Sequence, residues 1–222
     1  MEPIQFILII YLVIFITIII SLIFKYHEYY QSGYFQETKK SFFEVYFNKG
    51  TSGEYALYKP LSKLPGYKKF IFNVLIPKPD HQTTEIDLIL LHETGIYVLE
   101  NKNYGGWIFG KENQRYWCQT LKGRFGVEKY HFFNPIFQNR NHIKWLKRYL
   151  NNYNFPYFSL VVFNDRCTFK SIYISNHDYK LIYLSDLSPT ITSLINTNKK
   201  ILSVNEIDLL YKNLKSLCQI TK

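Results

Sequence analysis

Residues 84–106, TEIDLILLHETGIYVLENKNYGG, form the stretch around which the rest of this chain can be arranged. Two apolar runs, Ile86–Leu91 and Ile96–Leu99, flank His92-Glu93-Thr94-Gly95. That pattern predicts a β-hairpin, with Gly95 free to take the positive φ that a tight turn requires. A four-residue turn sets position i opposite position 187 − i, so Asp87 comes to face Glu100, to within one residue. Side chains alternate along a strand, and Glu100 and Lys102 therefore leave the same face. Two carboxylates and an ammonium converge at one point. Ile86, Leu88 and Leu90 on one side, with Ile89 and Leu91 on the other, make both faces apolar, which places the point inside the protein. Charges there are costly unless they are paired or coordinate a metal.

The 222 residues can carry one core domain and something small. The small part is at the front. Ile4–Phe24 holds 21 residues without a charge, long enough to cross a hydrocarbon layer of about 30 Å. A cleaved signal peptide fits poorly: no Lys or Arg precedes the run, and no small-residue cleavage site follows. The expectation is one uncleaved, single-pass transmembrane helix over 1–25. Lys25, Lys39 and Lys40 follow it while only Glu2 precedes it, so the positive-inside rule puts the C-terminal domain in the cytoplasm. Three scattered cysteines, Cys118, Cys167 and Cys218, suit a reducing compartment and offer no zinc spacing.

A net charge of +10 suits a polyanionic partner, nucleic acid or an anionic membrane surface. Abundant Lys, Asn, Ile, Tyr and Phe would also follow from AT-rich coding. Only five of the 27 basic residues are Arg, the side chain best shaped for bidentate phosphate contacts.

Residues 26–48 read as an aromatic, helical juxtamembrane connector. A helix is expected from about Lys49, capped by Thr51 or Ser52, and Pro60 should kink it or divide it into two short pieces. Phe70–Ile76 predicts a strand, followed by the central hairpin and short strands at Trp107–Phe109 and Tyr116–Leu121. Asn134-Pro135 opens a helix to about Asn152, with Ile136, Ile143, Leu146 and Leu150 as its apolar stripe. Strands are expected at Phe158–Phe163, Ser171–Ser175 and Lys180–Ser185, a helix at Asp186–Ile195, and a last helix opened by the Ser203–Glu206 capping box. This order implies an α/β sandwich around a mixed, mainly antiparallel sheet.

An Asp facing a strand-borne Glu-x-Lys is the arrangement that metal-dependent phosphodiester cleavage calls for. Asp87 and Glu100 can supply oxygen ligands to a hard cation such as Mg²⁺, with the Asn101 carbonyl as a further ligand. Lys102 can orient a water or stabilise the transition state. Glu54 can add a ligand, and Gln138 can contact the water or the phosphate. The blander readings are an exposed Glu-x-Lys ion pair, a first-turn helix charge for Glu54 and a helix-face amide for Gln138. His27, His81, His92, His131, His142 and His177 have no metal spacing and read as surface or structural residues. Trp107 and Trp117 read as core, with base stacking as the alternative. Ser185 and Cys118 have no recognisable base, which argues against nucleophilic catalysis.

Gly53-Glu54, Glu85-Ile86-Asp87, Gly95-Ile96-Tyr97-Val98-Leu99-Glu100-Asn101-Lys102, Gly105, Trp107 and Asn134-Pro135-x-x-Gln138 together resemble the NERD (nuclease-related) domain of the PD-(D/E)xK nuclease superfamily. Ile86 stands where the superfamily name has Pro. The resemblance covers about Lys49 to Leu150. It implies a restriction-endonuclease-like mixed β-sheet flanked by helices, with Asp87, Glu100 and Lys102 as the catalytic core and Glu54 and Gln138 in support. The chain then divides into an anchor (1–25), a connector (26–48), a NERD core (49–152) and a C-terminal α/β extension (153–222). The implied activity is that of a membrane-anchored nuclease using Mg²⁺, or Mn²⁺, on nucleic acid, DNA ahead of RNA. The alternative is a catalytically inactive module of the same fold that binds nucleic acid or a protein at the membrane. The sequence does not fix an oligomeric state.

Overall fold

A computed structural model of the protein describes residues 3–218 apart from 125, 153 and 177, so His177 lies outside the described residues. The hairpin forms as its sequence predicts. Strands β2 (Thr83–His92) and β3 (Gly95–Lys102) pair antiparallel with Leu88 opposite Leu99, Leu90 opposite Tyr97 and His92 opposite Gly95. Gly95 has φ of 146°, and a Cβ there would lie 2.6 Å from the Pro156 carbonyl oxygen. His92 is structural: its ring nitrogens lie 3.0 Å from Thr94 Oγ1 and 3.0 Å from the Pro65 carbonyl, tying the turn to the chain that precedes it.

Around the hairpin stand β1 (Lys68–Pro77), antiparallel to β2, and β7 (Tyr157–Phe163), parallel to β3. Strand β9 (Tyr179–Tyr183) runs parallel to β7, which completes a five-stranded mixed sheet. Helices cover both of its faces, and that is why Ile86–Leu91 is apolar without alternation. On one face α4 (Lys49–Ser62) and α6 (Leu187–Thr197) bring Leu57, Leu61 and Ile191 against Leu88, Leu90 and Leu99. On the other, α5 (Pro135–Tyr149) and α7 (Val204–Lys215) bring Leu146, Ile207 and Leu214 against Ile86, Ile89, Ile96 and Val98. The Ser203–Glu206 capping box opens α7 as expected.

A second mixed sheet holds β4 (Gly106–Lys111), β5 (Tyr116–Gly123), β6 (Gly126–Phe133) and β8 (Cys167–Tyr173), in the order β6-β5-β4-β8. Strand β6 is not among the expected elements. Its residues are almost all exposed, so no apolar alternation marks it. Strand β8 starts earlier than Ser171 and ends before Ser175. Trp117 is buried in the core of this sheet beside Ile108 and Phe163, whereas Trp107 is 48% exposed.

The N-terminal helix α1 (Pro3–Gln31) is long and apolar enough to cross a membrane, with its apolar side chains uncovered. Its last turns and the short helices α2 (Gly33–Thr38) and α3 (Phe42–Phe47) join the main fold: Tyr29, Tyr34, Phe42 and Val45 are buried with Tyr55 and Leu57 of α4. Two local expectations are corrected. The N-cap of α4 is Asn48, whose Oδ1 accepts from Gly50 N, while the Thr51 hydroxyl donates to the Glu44 carbonyl. Pro60 does not divide α4: it falls in the last turn, and the helix ends just after it, at Ser62.

Candidate active site

Asp87 occupies a point where β2 is released by both neighbours. Towards β1, the pairing runs Phe72 with Leu88 and then Val74 with Ile86, so Asn73 lies opposite Asp87. Asn73 has φ of 52°, the left-handed region that few residues other than Gly and Asn tolerate. Towards β3, the last register pair is Leu88 with Leu99. Beyond it the Asn101 amide turns to the carboxylate instead of the ladder and donates to Asp87 Oδ2 at 2.8 Å. An acid is thus built into the backbone at the end of the hairpin.

Glu100 and Lys102 leave β3 on the α5 side, as strand alternation requires. Lys102 Nζ donates to Glu100 Oε1 at 2.5 Å and to Gln138 Oε1 at 3.1 Å. Glu100 is only 1% exposed, and its Oε2 makes no hydrogen bond; it lies 3.4 Å from His142 Nδ1. His142, which the sequence sets one helical turn after Gln138 on the same face of α5 and which reads there as a surface or structural residue, is buried.

Helix α5 is fixed against the sheet by two buried amides. Asn134 caps it, accepting from Ile136 N at 2.9 Å and donating to the Glu112 and Gln114 carbonyls. Asn139 Nδ2 reaches the Val98 and Leu160 carbonyls and Ser159 Oγ, at 2.9, 3.2 and 2.9 Å. This holds Gln138 and His142 over Glu100.

The charges here are held away from their ordinary states. Burial raises the Glu100 carboxyl to about 8, the Asp87 charge adds to that, and Lys102 opposes it. Asp87 is raised to about 6 by burial, against the Asn101 amide and the Lys102 charge. His142 is lowered to about 4, chiefly by burial and then by Lys102, so it is neutral at pH 7. For Lys102 burial works to lower the ammonium, but the charge and hydrogen bond of Glu100 outweigh it and the net direction is up.

Glu54 stands on the second turn of α4. Tyr34 (2.9 Å), Lys40 (3.1 Å) and Asn73 (3.2 Å) all donate to its Oε2. With Asp87 and Asn101 it lines a cleft of about 630 Å³ whose rim carries Lys49, Gln119 and Arg166. Gln138 and His142 line a separate cleft of about 440 Å³ with Lys78, Lys144 and Trp145. The structure therefore joins Glu100 and Gln138 through Lys102, which contacts both, and places Asp87 and Glu54 on the wall of the neighbouring cleft. A larger cleft of about 820 Å³ lies elsewhere. Its acid, Glu112, is already taken by Ser175 and Asn176 donors.

No group of three or more His, Cys, Asp and Glu side chains that could hold a metal occurs among the described residues. What the site does offer is a pair of carboxylates with one buried oxygen, Glu100 Oε2, lacking a hydrogen bond. Hard oxygen donors of that kind fit a divalent cation such as Mg²⁺.

A family model described as the nuclease-related domain, NERD, matches residues 49–164. An uncharacterized protein of Bacillus anthracis is 34% identical over 146 residues, a match covering 65% of this chain and 66% of that relative. The chain thus spans just under two thirds of the relative's length. No solved structure matches.

Proposed function

Since this chain belongs to the NERD, or nuclease-related domain, family, we propose that it is a membrane-anchored nuclease that hydrolyses phosphodiester bonds of nucleic acid, DNA ahead of RNA, with Mg²⁺ or Mn²⁺. The observation that supports this best is the convergence of Glu100, Lys102 and Gln138 beside Asp87, at the released end of a hairpin. Asp87 and Glu100, with the Asn101 carbonyl, would hold the ion, which when bound supplies a Lewis acid and lowers the pKa of a water. Lys102 carries the positive charge that stabilises the phosphorane-like transition state, and Gln138 aims it. Glu54, itself held by Tyr34, Lys40 and Asn73, keeps a carboxylate at the cleft wall. Helix α1 serves as the anchor, and the lysines that follow it favour a cytoplasmic domain.

The full chain in lipid nanodiscs is to be incubated with labelled DNA and RNA in Mg²⁺, Mn²⁺ or EDTA. Cleavage is expected with the metals alone, and Asp87→Ala or Lys102→Ala should reduce it by at least about 100-fold, the scale of losing one electrostatic stabiliser. Cleavage that survives both substitutions ends the proposal. A second reading, a non-catalytic binding module at the membrane, is favoured by the closed Glu100–Lys102 pair. Salt-dependent binding with no cleavage in any metal is its signature.

A further inference from the structure

Trp107 has no place in a core. It is 48% exposed, on a strand whose next residue, Ile108, is fully buried, so alternation turns the indole out of the sheet. Its register partner on β5 is Thr120. Thr120, Leu121, Lys122 and Val127 line, together with Trp107, a pocket of about 620 Å³, within the range of small-ligand sites. That pocket abuts the Asp87 cleft. Leu121 lines both, and the consecutive residues Gly105 and Gly106 line one each. Gly106 has φ of 72°, and a Cβ there would meet the Thr120 carbonyl oxygen, so the chain between the two cavities is kept thin.

The surroundings are cationic. Lys170 Nζ lies 4.9 Å from the Trp107 ring centroid. On the Asp87 side, Arg166 is held in place by Asn164 and Asn103, donating from Nε at 3.0 Å and from Nη2 at 2.6 Å. An aromatic platform with an apolar wall, joined to a cleft that carries Lys49 and Arg166 beside its two acids, matches the chemistry of one nucleotide: a flat base and an anionic phosphate. A lipid interface would accept cations and an exposed indole alike, but the continuity of the Trp107 pocket with the Asp87 cleft favours a strand that reaches both.

We infer that Trp107 is the stacking platform for an unpaired nucleobase of the strand whose phosphodiester reaches Asp87, so that the protein prefers single-stranded or locally unpaired nucleic acid. This rests on the nuclease reading of the Asp87 cleft. In an intact duplex each base face is already stacked, and a base must be unstacked before Trp107 can use it.

The test is binding without turnover. The full chain in zwitterionic nanodiscs, in EDTA, is titrated with fluorescein-labelled single-stranded oligothymidylate and with a duplex of equal length. Trp107→Ala should weaken single-strand binding by about 10-fold or more, the scale of one base–aromatic stack, and leave duplex binding within about twofold. Trp107→Phe should restore most of the loss. Trp107→Leu, which fills the wall without a π face, should behave as Ala does. Equal losses for single strand and duplex, an unchanged single-strand affinity, or binding only to nanodiscs doped with anionic lipid would each overturn the inference. Because no cleavage is read, a protein that never cuts still reports on Trp107, while the cleavage assay reports separately on Asp87.

Discussion

Asp87→Asn in the metal-free protein reads the electrostatics of the site most directly. Burial, then the nearby charges of Glu54 and Glu85, raise the Asp87 carboxyl from the ordinary 3.8 to about 6, with the Asn101 amide and Lys102 offsetting part of the effect. Below 3.8 the group is protonated whether the chain is folded or not, and it contributes nothing to the pH dependence. Between 3.8 and about 6 the unfolded chain ionises first, so rising pH favours unfolding, and above about 6 the full penalty is in place. A rise of about two pKa units corresponds to about 3 kcal/mol at most. Asp87 is half-buried and opens on a cleft, and solvent screening reduces that to about 1–2 kcal/mol. Asparagine keeps an oxygen for the Asn101 amide and removes the charge. The variant should therefore unfold at the wild-type temperature near pH 4 and about 2–8 °C higher near pH 8. The assay is thermal unfolding of the full chain in detergent micelles with EDTA, followed by circular dichroism across that pH range. A lower midpoint near pH 8, or a gain that is the same at every pH, refutes the reasoning.

Two structural predictions accompany it. Asn139→Ala deletes a buried amide that bridges Val98, Ser159 and Leu160, and should cost about 2–3 kcal/mol in urea unfolding; a cost below about 0.5 kcal/mol would mean the amide does not hold α5 to the sheet. Asn73→Ala should cost about 1–2 kcal/mol for the left-handed backbone and about 1 kcal/mol more for the lost Glu54 bond. Asn73→Gly should recover the backbone share alone, and equal midpoints for the two variants would show that φ at this position carries no strain.

Most of the sheet was legible because burial on both faces leaves a strong mark. Ile86–Leu91 and Ile96–Leu99 announce two strands, and Gly95 sets their turn, so the register from Leu88 to His92 could be written down from spacing alone. The Asn134 cap and the Ser203–Glu206 capping box were equally plain, since each side chain satisfies amides that a helix start exposes. Strand β6 was not legible, because an exposed edge strand needs no apolar face. Nor was the choice of Asn48 over Thr51 as the cap of α4. Both side chains can cap, and the contact of Thr51 with Glu44, seven residues back, decides between them. Trp107 and Trp117 differ in burial for a similar reason: the aromatic type is the same, and only the pairing of the second sheet says which face each one takes.

Within the site the same division holds, and it explains why Asp87, and not another acid, sits there. Alternation and register suffice to put Glu100 and Lys102 on one face with Asp87 opposite, because those are properties of any regular hairpin. They do not tell that the ladder is interrupted on both sides of Asp87. One interruption comes from Asn73, which looks like any polar residue in a strand until its φ of 52° is seen. The other comes from the Asn101 amide leaving the ladder for the carboxylate. A paired strand has no spare backbone donor for a side chain, so a carboxylate can be held this firmly only where the sheet lets go. The residue types Asp, Glu and Lys mark the chemistry. The left-handed asparagine opposite Asp87, invisible to hydrophobic pattern, lets the first of them stand apart from the ladder.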